Sequence, residues 1–169
     1  MRVTHSRLEG CLVIEPDIFK DDRGFFLETF SEEYYASIGI DVPFVQDNHS
    51  RSVKGVLRGL HYQKDRPQGK LVRVVRGAVL DVAVDIRPES STFGQWEAIN
   101  LSEENKLQFW IPPRFAHGFL VLSDEADFVY KCTDYYDQSD CRIIHWKDLD
   151  LAIDWPKNIQ ITTSERDES

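Results

Sequence analysis

Cysteine is scarce in this sequence, and long apolar stretches are absent. The 169 residues include three cysteines, Cys11, Cys132 and Cys141. Their odd number and the lack of a C-x-x-C pair argue against a disulfide framework and against a zinc site. No apolar run approaches the length of a membrane span, and residues 1–5 begin no signal-peptide pattern. We therefore expect a cytoplasmic protein with no membrane partner.

Basic residues are also in the minority. The sequence has 20 lysines and arginines against 29 acidic residues, and its formal net charge is −9. Proteins that contact a series of backbone phosphates need a basic face, so this balance argues against nucleic acid as a partner. A small anionic ligand stays compatible with the sequence, provided that basic residues cluster locally around it.

The sequence is rich in short alternating segments, which predict strands. Residues 71–75 and 78–86 flank Arg76-Gly77 and predict a β-hairpin, and further strands are expected at 96–101, 107–111, 118–122, 128–132 and 142–146. One helix is predicted at residues 31–38, with Ser31 as its N-cap. Residues 157–169 are polar and predict a loose tail or a flap. This rhythm indicates a single all-β domain over residues 1–169, a sandwich or barrel of the jelly-roll type with a short N-terminal helix.

A histidine, a lysine and two arginines lie near the start of this β domain, namely Arg58, His61, Lys70 and Arg73. Imidazole titrates near neutral pH and suits proton transfer, although a lone strand histidine is more often only hydrogen-bonded to a neighbour. A metal site needs a second ligand, as in His-x-His, and that position holds Gln63. The cluster therefore favours acid–base chemistry on an anionic substrate over metal chemistry.

Three other residues have two interpretations each when they are taken alone. His117 follows a turn with two prolines that presents its imidazole at a strand start, where it either stabilises the turn or contacts a ligand. Tyr130 shares a strand face with apolar neighbours, which favours a core aromatic, although a phenol at a barrel mouth can donate a proton. Arg23 can bind phosphate or carboxylate, but its spacing favours a surface salt bridge to a nearby acidic residue.

Several longer segments have a distinctive sequence. They are DRGFF (22–26), FVQDNHS (44–50), VLRGLHYQ (56–63), QGKLVR (68–73), DVAVDIR (81–87), TFGQW (92–96), WIPPRFAHGF (110–119), YKCT (130–133) and IDWP (153–156). Together and in this order they resemble the dTDP-4-dehydrorhamnose 3,5-epimerase family over nearly the whole chain. The resemblance implies a cupin-type double-stranded jelly roll. It also implies a homodimer that acts on a nucleotide-sugar without metal or cofactor.

The resemblance implies a reaction as well. In dTDP-4-dehydro-6-deoxy-D-glucose, the hydrogens at C3 and C5 are acidified by the C4 ketone between them. By motif position, His61 is the base, Tyr130 is the acid on the opposite face, and Lys70 stabilises the enolate. The product would be dTDP-4-dehydro-L-rhamnose.

A histidine that acts as a base needs a carboxylate to orient its ring. The resemblance implies that carboxylate and also the residues that bind the substrate. Asp167 occupies the place of a family aspartate near the C-terminus and is our first choice, with Asp81 and Asp85 as alternatives. The substrate-binding positions are Arg23, Glu28, Gln46, Asp47, Asn48, Arg58, His117, Cys141 and Arg166. Of these, Arg23 and Arg58 are expected to bind the diphosphate.

Two positions depart from the family pattern. Cys141 replaces a glutamate and Arg166 replaces a lysine, at positions that normally contact the substrate. Arg166 keeps the charge but changes its geometry. A C3-only or C5-only epimerase, or a 3,4-ketoisomerase, acting on a related nucleotide-linked 4-keto sugar therefore stays an alternative.

Two functions of other classes are weighed against this one. A non-catalytic sugar-nucleotide-binding module would need the arginines but not His61, Lys70 and Tyr130, whose joint presence argues against it. A metal-dependent cupin enzyme would need the second ligand that Gln63 fails to supply.

Overall fold

The computed structural model describes residues 1–168, which form antiparallel strands, one α-helix and a C-terminal 3-10 turn. The strands are β1 (Arg2–His5), β2 (Leu12–Glu15), β3 (Phe19–Asp21), β4 (Gly24–Phe26), β5 (Gln46–Val53), β6 (Leu57–Gln63), β7 (Lys70–Arg76), β8 (Ala78–Asp85), β9 (Trp96–Ser102), β10 (Gln108–Ile111), β11 (Phe115–Val121), β12 (Glu125–Cys132) and β13 (Cys141–Ile143). Helix α1 spans Glu32–Ser37, and the 3-10 turn spans Glu165–Glu168. Among the described residues, no helix has the length and apolar character that a membrane span requires.

The strands form two large sheets and a separate hairpin. A six-stranded sheet has the order β1-β2-β10-β7-β12-β5, a five-stranded sheet has the order β13-β6-β11-β8-β9, and β3 pairs only with β4. Buried side chains from both large sheets, including Val72, Phe109, Phe119 and Phe128, pack into one core cluster. This arrangement confirms the predicted all-β double-sheet fold with a short N-terminal helix.

The predicted helix is present, but the expected N-cap hydrogen bond is not what stabilises it. It covers residues 32–37 rather than 31–38, and Ser31 lies at the N-cap position without a side-chain capping hydrogen bond. Tyr35 is buried, and its hydroxyl donates to Gln108 Oε1 at 2.6 Å. Tertiary packing on β10, rather than the cap, therefore anchors this short helix.

The predicted hairpin at 71–86 is wrong. β7 pairs with β10 and β12 in the six-stranded sheet, whereas β8 pairs with β9 and β11 in the five-stranded sheet. Gly77 has a φ of 74° and passes so close to Glu125 that a Cβ would lie 2.0 Å from the carbonyl oxygen. The chain therefore crosses tightly from one sheet to the other at Gly77, and an alternating pattern alone cannot distinguish these pairings.

The C-terminal segment covers the outer face of the five-stranded sheet. Trp146 and Trp155 belong to a cluster with buried side chains of β6, β8 and β11. Farther along, Thr162 N donates to Gly55 O at 2.8 Å, and Thr162 O accepts from Leu57 N at 2.9 Å. Residues 157–168 are thus held against β6 rather than forming a loose tail, and they carry the 3-10 turn to His61.

Candidate active site

A cavity of about 270 Å³ lies between the two large sheets. Seven of the residues predicted to bind the substrate or to catalyse its reaction line this cavity: His61, Lys70, Tyr130, Gln46, Asn48, Cys141 and Arg166. The other lining residues are Tyr62, Gln63, Pro67, Gln68, Arg114, Phe115 and Tyr136. Side chains from β5, β7 and β12 of one sheet face side chains from β6, β11 and β13 of the other.

His61 forms a close pair with Asp167. His61 Nε2 lies 2.6 Å from Asp167 Oδ1, and the Asp167 side chain is only 5% exposed. An ionised carboxylate can only accept a hydrogen bond, so Nε2 carries the hydrogen and Nδ1 of the neutral ring is the basic nitrogen. Burial lowers the pKa of His61 below its usual 6.5, while the contact with Asp167 acts in the opposite direction. The imidazole is therefore neutral and ready to accept a proton near pH 7.

The 3-10 turn holds Asp167 at this position. Asp167 N donates to Ser164 O at 3.0 Å, which closes the turn. The neighbouring Glu168 carboxylate accepts from Trp146 Nε1 at 3.2 Å and from Thr163 Oγ1 at 2.5 Å. These contacts hold the 3-10 turn against the C-terminal segment that covers the five-stranded sheet. They therefore fix the position of the Asp167 carboxylate beside His61.

Tyr130 faces the same cavity from the other sheet. It lies on β12, in the six-stranded sheet, whereas His61 lies on β6, in the five-stranded sheet. Burial raises the pKa of Tyr130 to about 12, against the opposing influence of Arg58. The phenol therefore stays protonated at neutral pH and has a proton to donate.

Lys70 supplies positive charge at the same cavity. It begins β7, lines the cavity and makes no ion pair within residues 1–168. Burial lowers its pKa from the usual 10.5, because a desolvated ammonium is less stable than a hydrated one. A half-buried cation without an anionic partner is suited to stabilise negative charge that develops on a bound substrate.

The alternative orienting carboxylates have other partners. Asp81 is fully buried, and its two carboxylate oxygens lie 2.9 and 3.1 Å from His117 Nε2. Asp85 accepts hydrogen bonds from Arg87 and Ser90, in a network near the β8–β9 connection. Asp81 and Asp85 are therefore wrong as partners of His61.

His117 lies near the start of β11, directly opposite His61 in the strand register. It is 6% exposed, stacks on Phe128 with ring centroids 6.0 Å apart, and does not line the cavity. Its burial and its contact with Asp81 indicate a structural position next to His61, and direct substrate contact stays a prediction of the family resemblance.

Two other predicted binding residues lie outside the cavity lining. Asp47 points to the opposite face of β5 from Gln46 and Asn48, and it accepts from Lys131 Nζ at 2.6 Å. This position follows from strand alternation, which sends neighbouring side chains to opposite faces. Arg58 is exposed and donates from Nε to Ser52 Oγ at 3.0 Å.

Arg23 and Glu28 are also absent from the lining. Arg23 lies in the tight turn between β3 and β4, its side chain is 90% exposed, and its Nε donates to Asp21 Oδ2 at 3.1 Å. Within residues 1–168 of one chain, neither residue completes the site.

Tyr136 was missed by the sequence analysis. It lines the cavity, and its hydroxyl accepts from Arg166 Nη1 at 2.9 Å. Its backbone N–H donates to Gln46 Oε1 at 2.9 Å. Tyr136 lies in an irregular segment without periodicity, so no local pattern indicated its position.

The ionisation of these groups predicts the pH dependence of activity. We expect kcat/KM to fall at low pH as His61 becomes protonated, with this acid limb below pH 6.5 because burial lowers its pKa. At high pH, Lys70 should lose its charge below its usual pKa of 10.5. A Lys70→Arg variant, whose guanidinium stays charged, should shift or abolish the basic limb but keep the acid limb. An acid limb above pH 7 in a full pH–rate profile would contradict the assignment of His61.

The residues described contain no group of three or more His, Cys, Asp or Glu side chains that could hold a metal ion. The donor set at the cavity, with one imidazole already bound to a carboxylate, likewise does not fit a metal centre.

Known proteins with similar sequences and structures point to one family. A family model for dTDP-4-dehydrorhamnose 3,5-epimerase matches residues 5–169. The Escherichia coli K12 protein of that name is 55% identical over 171 residues, which cover 99% of this chain and 92% of that protein. A Streptomyces niveus protein named dTDP-4-dehydrorhamnose 3-epimerase is 39% identical over 158 residues, covering 92% of this chain and 76% of that protein.

Structural similarity leads to the same family. The crystal structure of a dTDP-6-deoxy-D-glucose-3,5-epimerase from Legionella pneumophila, in complex with dTDP-4-keto-L-rhamnose, matches with a TM-score of 0.96. The two chains are 56% identical, and the match covers 98% of this chain and 89% of that one. The chain described here belongs to the dTDP-4-dehydrorhamnose 3,5-epimerase family.

Proposed function

We propose that this protein inverts C3 and C5 of dTDP-4-dehydro-6-deoxy-D-glucose and so forms dTDP-4-dehydro-L-rhamnose. The observation that carries the proposal is the placement of His61 and Tyr130 on opposite sheets, facing one cavity. Epimerisation requires that a proton leave one face of a carbon and that another arrive on the opposite face. A base and an acid on opposite walls meet this requirement.

The mechanism uses only the chain's own side chains. Nδ1 of His61 takes the proton from a carbon next to the C4 ketone, and the C–H electron pair moves to form an enolate. The negative charge collects on the C4 oxygen, where the Lys70 ammonium stabilises it. Tyr130 then gives its phenolic proton to the same carbon from the opposite face, and the carbonyl re-forms. Before the second carbon reacts, the protonated His61 releases its proton to solvent and the Tyr130 phenolate takes one from solvent. The same steps then repeat at the second carbon, because both carbons flank the same ketone.

Nucleotide-sugar binding is proposed along the cavity wall formed by β5. Gln46 and Asn48 point into the cavity, and Gln46 Nε2 donates to Asn48 Oδ1 at 3.1 Å. Each amide nitrogen has a second N–H, which can donate to the base or the sugar of a nucleotide. The Legionella pneumophila protein binds dTDP-4-keto-L-rhamnose in its crystal structure, and the similarity supports the same ligand class here.

The experiment that tests the function is conversion of dTDP-4-dehydro-6-deoxy-D-glucose with the product trapped by a 4-keto reductase. Formation of the rhamnose nucleotide, identified by NMR, is the expected result. A product inverted at one carbon would identify a mono-epimerase, as the name of the Streptomyces niveus relative states for that protein. No conversion, with retained nucleotide binding, would favour a binding module.

The proposal includes a homodimer in which each cavity receives Arg23 from the second copy. The β3–β4 hairpin exposes Phe19 at 63% and Phe26 at 69%, and its Arg23 is exposed and does not line the cavity of its own chain. A second copy would cover these aromatic side chains and bring the guanidinium to a diphosphate. The cytoplasmic location stays a prediction of the sequence.

Mixing two inactive variants tests this arrangement. Arg23→Ala and His61→Asn proteins, dissociated and reassociated together, should recover about a quarter of wild-type activity, because half of the dimers then hold one complete site. Each variant taken through the same steps alone is the control and should stay inactive. Failure of the mixture to recover activity, with exchange of subunits shown by mass spectrometry, would place Arg23 in its own chain's site. Activity of Arg23→Ala alone would place Arg23 outside the site.

A further inference from the structure

Arg114 has a backbone conformation that suits glycine. Its φ is 68°, in the left-handed region that residues with a Cβ seldom adopt. Two prolines precede it and β11 begins directly after it at Phe115, so the chain must turn into the sheet at this residue. Strained backbone of this kind concentrates at functional sites, where the side chain contributes something that a glycine lacks.

Arg114 is one of the residues that line the substrate cavity. The lysines and arginines that line it are Lys70, Arg114 and Arg166. Lys70 has a role at the C4 oxygen in the proposed mechanism, and Arg166 donates to Tyr136. Arg58, which the family resemblance associates with the diphosphate, does not line the cavity. Arg114 therefore adds a cation at the cavity wall that the predicted binding set does not include.

The partner of Arg114 is an exposed carboxylate. Both terminal nitrogens of the guanidinium contact Glu89, and Nη2 lies 3.3 Å from Oε2. The two side chains are 50% and 61% exposed. Exposed ion pairs contribute little to stability, so this pair does not account for the backbone strain. A diphosphate carries more negative charge than one carboxylate and matches the planar fork of a guanidinium.

We propose that Arg114 binds the diphosphate of the nucleotide-sugar and leaves Glu89 when the substrate enters. The inference rests on the proposed function and adds a substrate-binding residue to it. Glycine would be less strained at this position. We attribute the presence of an arginine there to the need for its charge at the cavity.

Calorimetric titration with dTDP tests this role without requiring turnover. Arg114→Gly removes the charge and relieves the strain, and we expect dTDP to bind about tenfold more weakly, as for a lost charge-assisted hydrogen bond. Glu89→Gln should release Arg114 and tighten dTDP binding by about threefold, within the range that an exposed ion pair contributes. Thermal melting of each variant confirms that it is folded.

Arg76→Ala is the matched control. Arg76 also forms an ion pair with a carboxylate, Glu125, in which the two side chains are 54% and 42% exposed, and it ends β7 outside the lining of the substrate cavity. This variant removes one positive charge from an exposed ion pair, and it should bind dTDP like the wild type. Equal weakening in Arg76→Ala and Arg114→Gly would reduce the effect to net charge and overturn the inference.

The remaining outcomes separate the inference from the proposed function. Wild-type affinity for dTDP in Arg114→Gly overturns the inference and leaves the function intact. A wild-type protein that binds no dTDP overturns both. Opposite shifts in Arg114→Gly and Glu89→Gln are the result that the structure predicts.

Discussion

His61→Asn should lower kcat/KM by about 10²–10⁴-fold, the usual contribution of a positioned general base. Asparagine fills a similar space and can hydrogen-bond to Asp167, but its amide does not accept a proton near neutral pH. The reaction starts by removal of a carbon-bound proton, so the loss should appear in kcat. Steady-state kinetics and dTDP titration together check this expectation, because the affinity for dTDP should be unchanged.

His5→Asn is the matched control for this substitution. His5 ends β1, is exposed, and lies on a strand that contributes nothing to the cavity. Its replacement should leave kcat and KM at wild-type values. If His61→Asn turned over at a rate similar to His5→Asn, another group would be the base and the mechanism would need a different starting step.

Tyr130→Phe should lower the rate of product formation by about 10²–10⁴-fold while proton abstraction continues. The substitution removes one hydroxyl from the half-buried ring, which packs against Phe128 in a tilted arrangement with centroids 5.7 Å apart, so the fold should tolerate it. The enolate would then form and be reprotonated from the side of His61, which returns the starting configuration. In D₂O, recovered substrate should therefore contain deuterium although little product forms.

Tyr34→Phe provides the comparison. Tyr34 lies on α1 with 39% exposure, outside the cavity, and loses the same hydroxyl. It should convert substrate at the wild-type rate. An unchanged rate in Tyr130→Phe as well would mean that Tyr130 is a core aromatic and that water or another side chain delivers the proton.

The general architecture could be predicted because strands leave local patterns. Alternation in β8 placed Leu80 and Val82 on one face of the strand and Asp81 on the other. In the structure, the face with Leu80 and Val82 lies under the C-terminal segment, and the face with Asp81 is buried inside the core. The same alternation could not specify which strands pair. The crossing at Gly77 depends on the close approach to Glu125, a contact between strands that are distant in sequence.

The site shows the same limit. Asp167 and His61 are 106 residues apart, so no spacing rule could pair them, and only the family resemblance indicated Asp167. Local reasoning offered Asp81 instead, and the fold pairs that carboxylate with His117. Arg114 was overlooked because its significance comes from a backbone angle and a cavity wall, which the sequence does not display.

The most direct test of the account is incubation with dTDP-4-dehydro-6-deoxy-D-glucose in D₂O, followed by NMR and mass spectrometry of the trapped product. The account predicts deuterium at both C3 and C5 with wild-type protein, and at neither carbon with His61→Asn. Exchange at both carbons in His61→Asn, or product formed by the wild type without any deuterium, would contradict a mechanism in which His61 removes the protons.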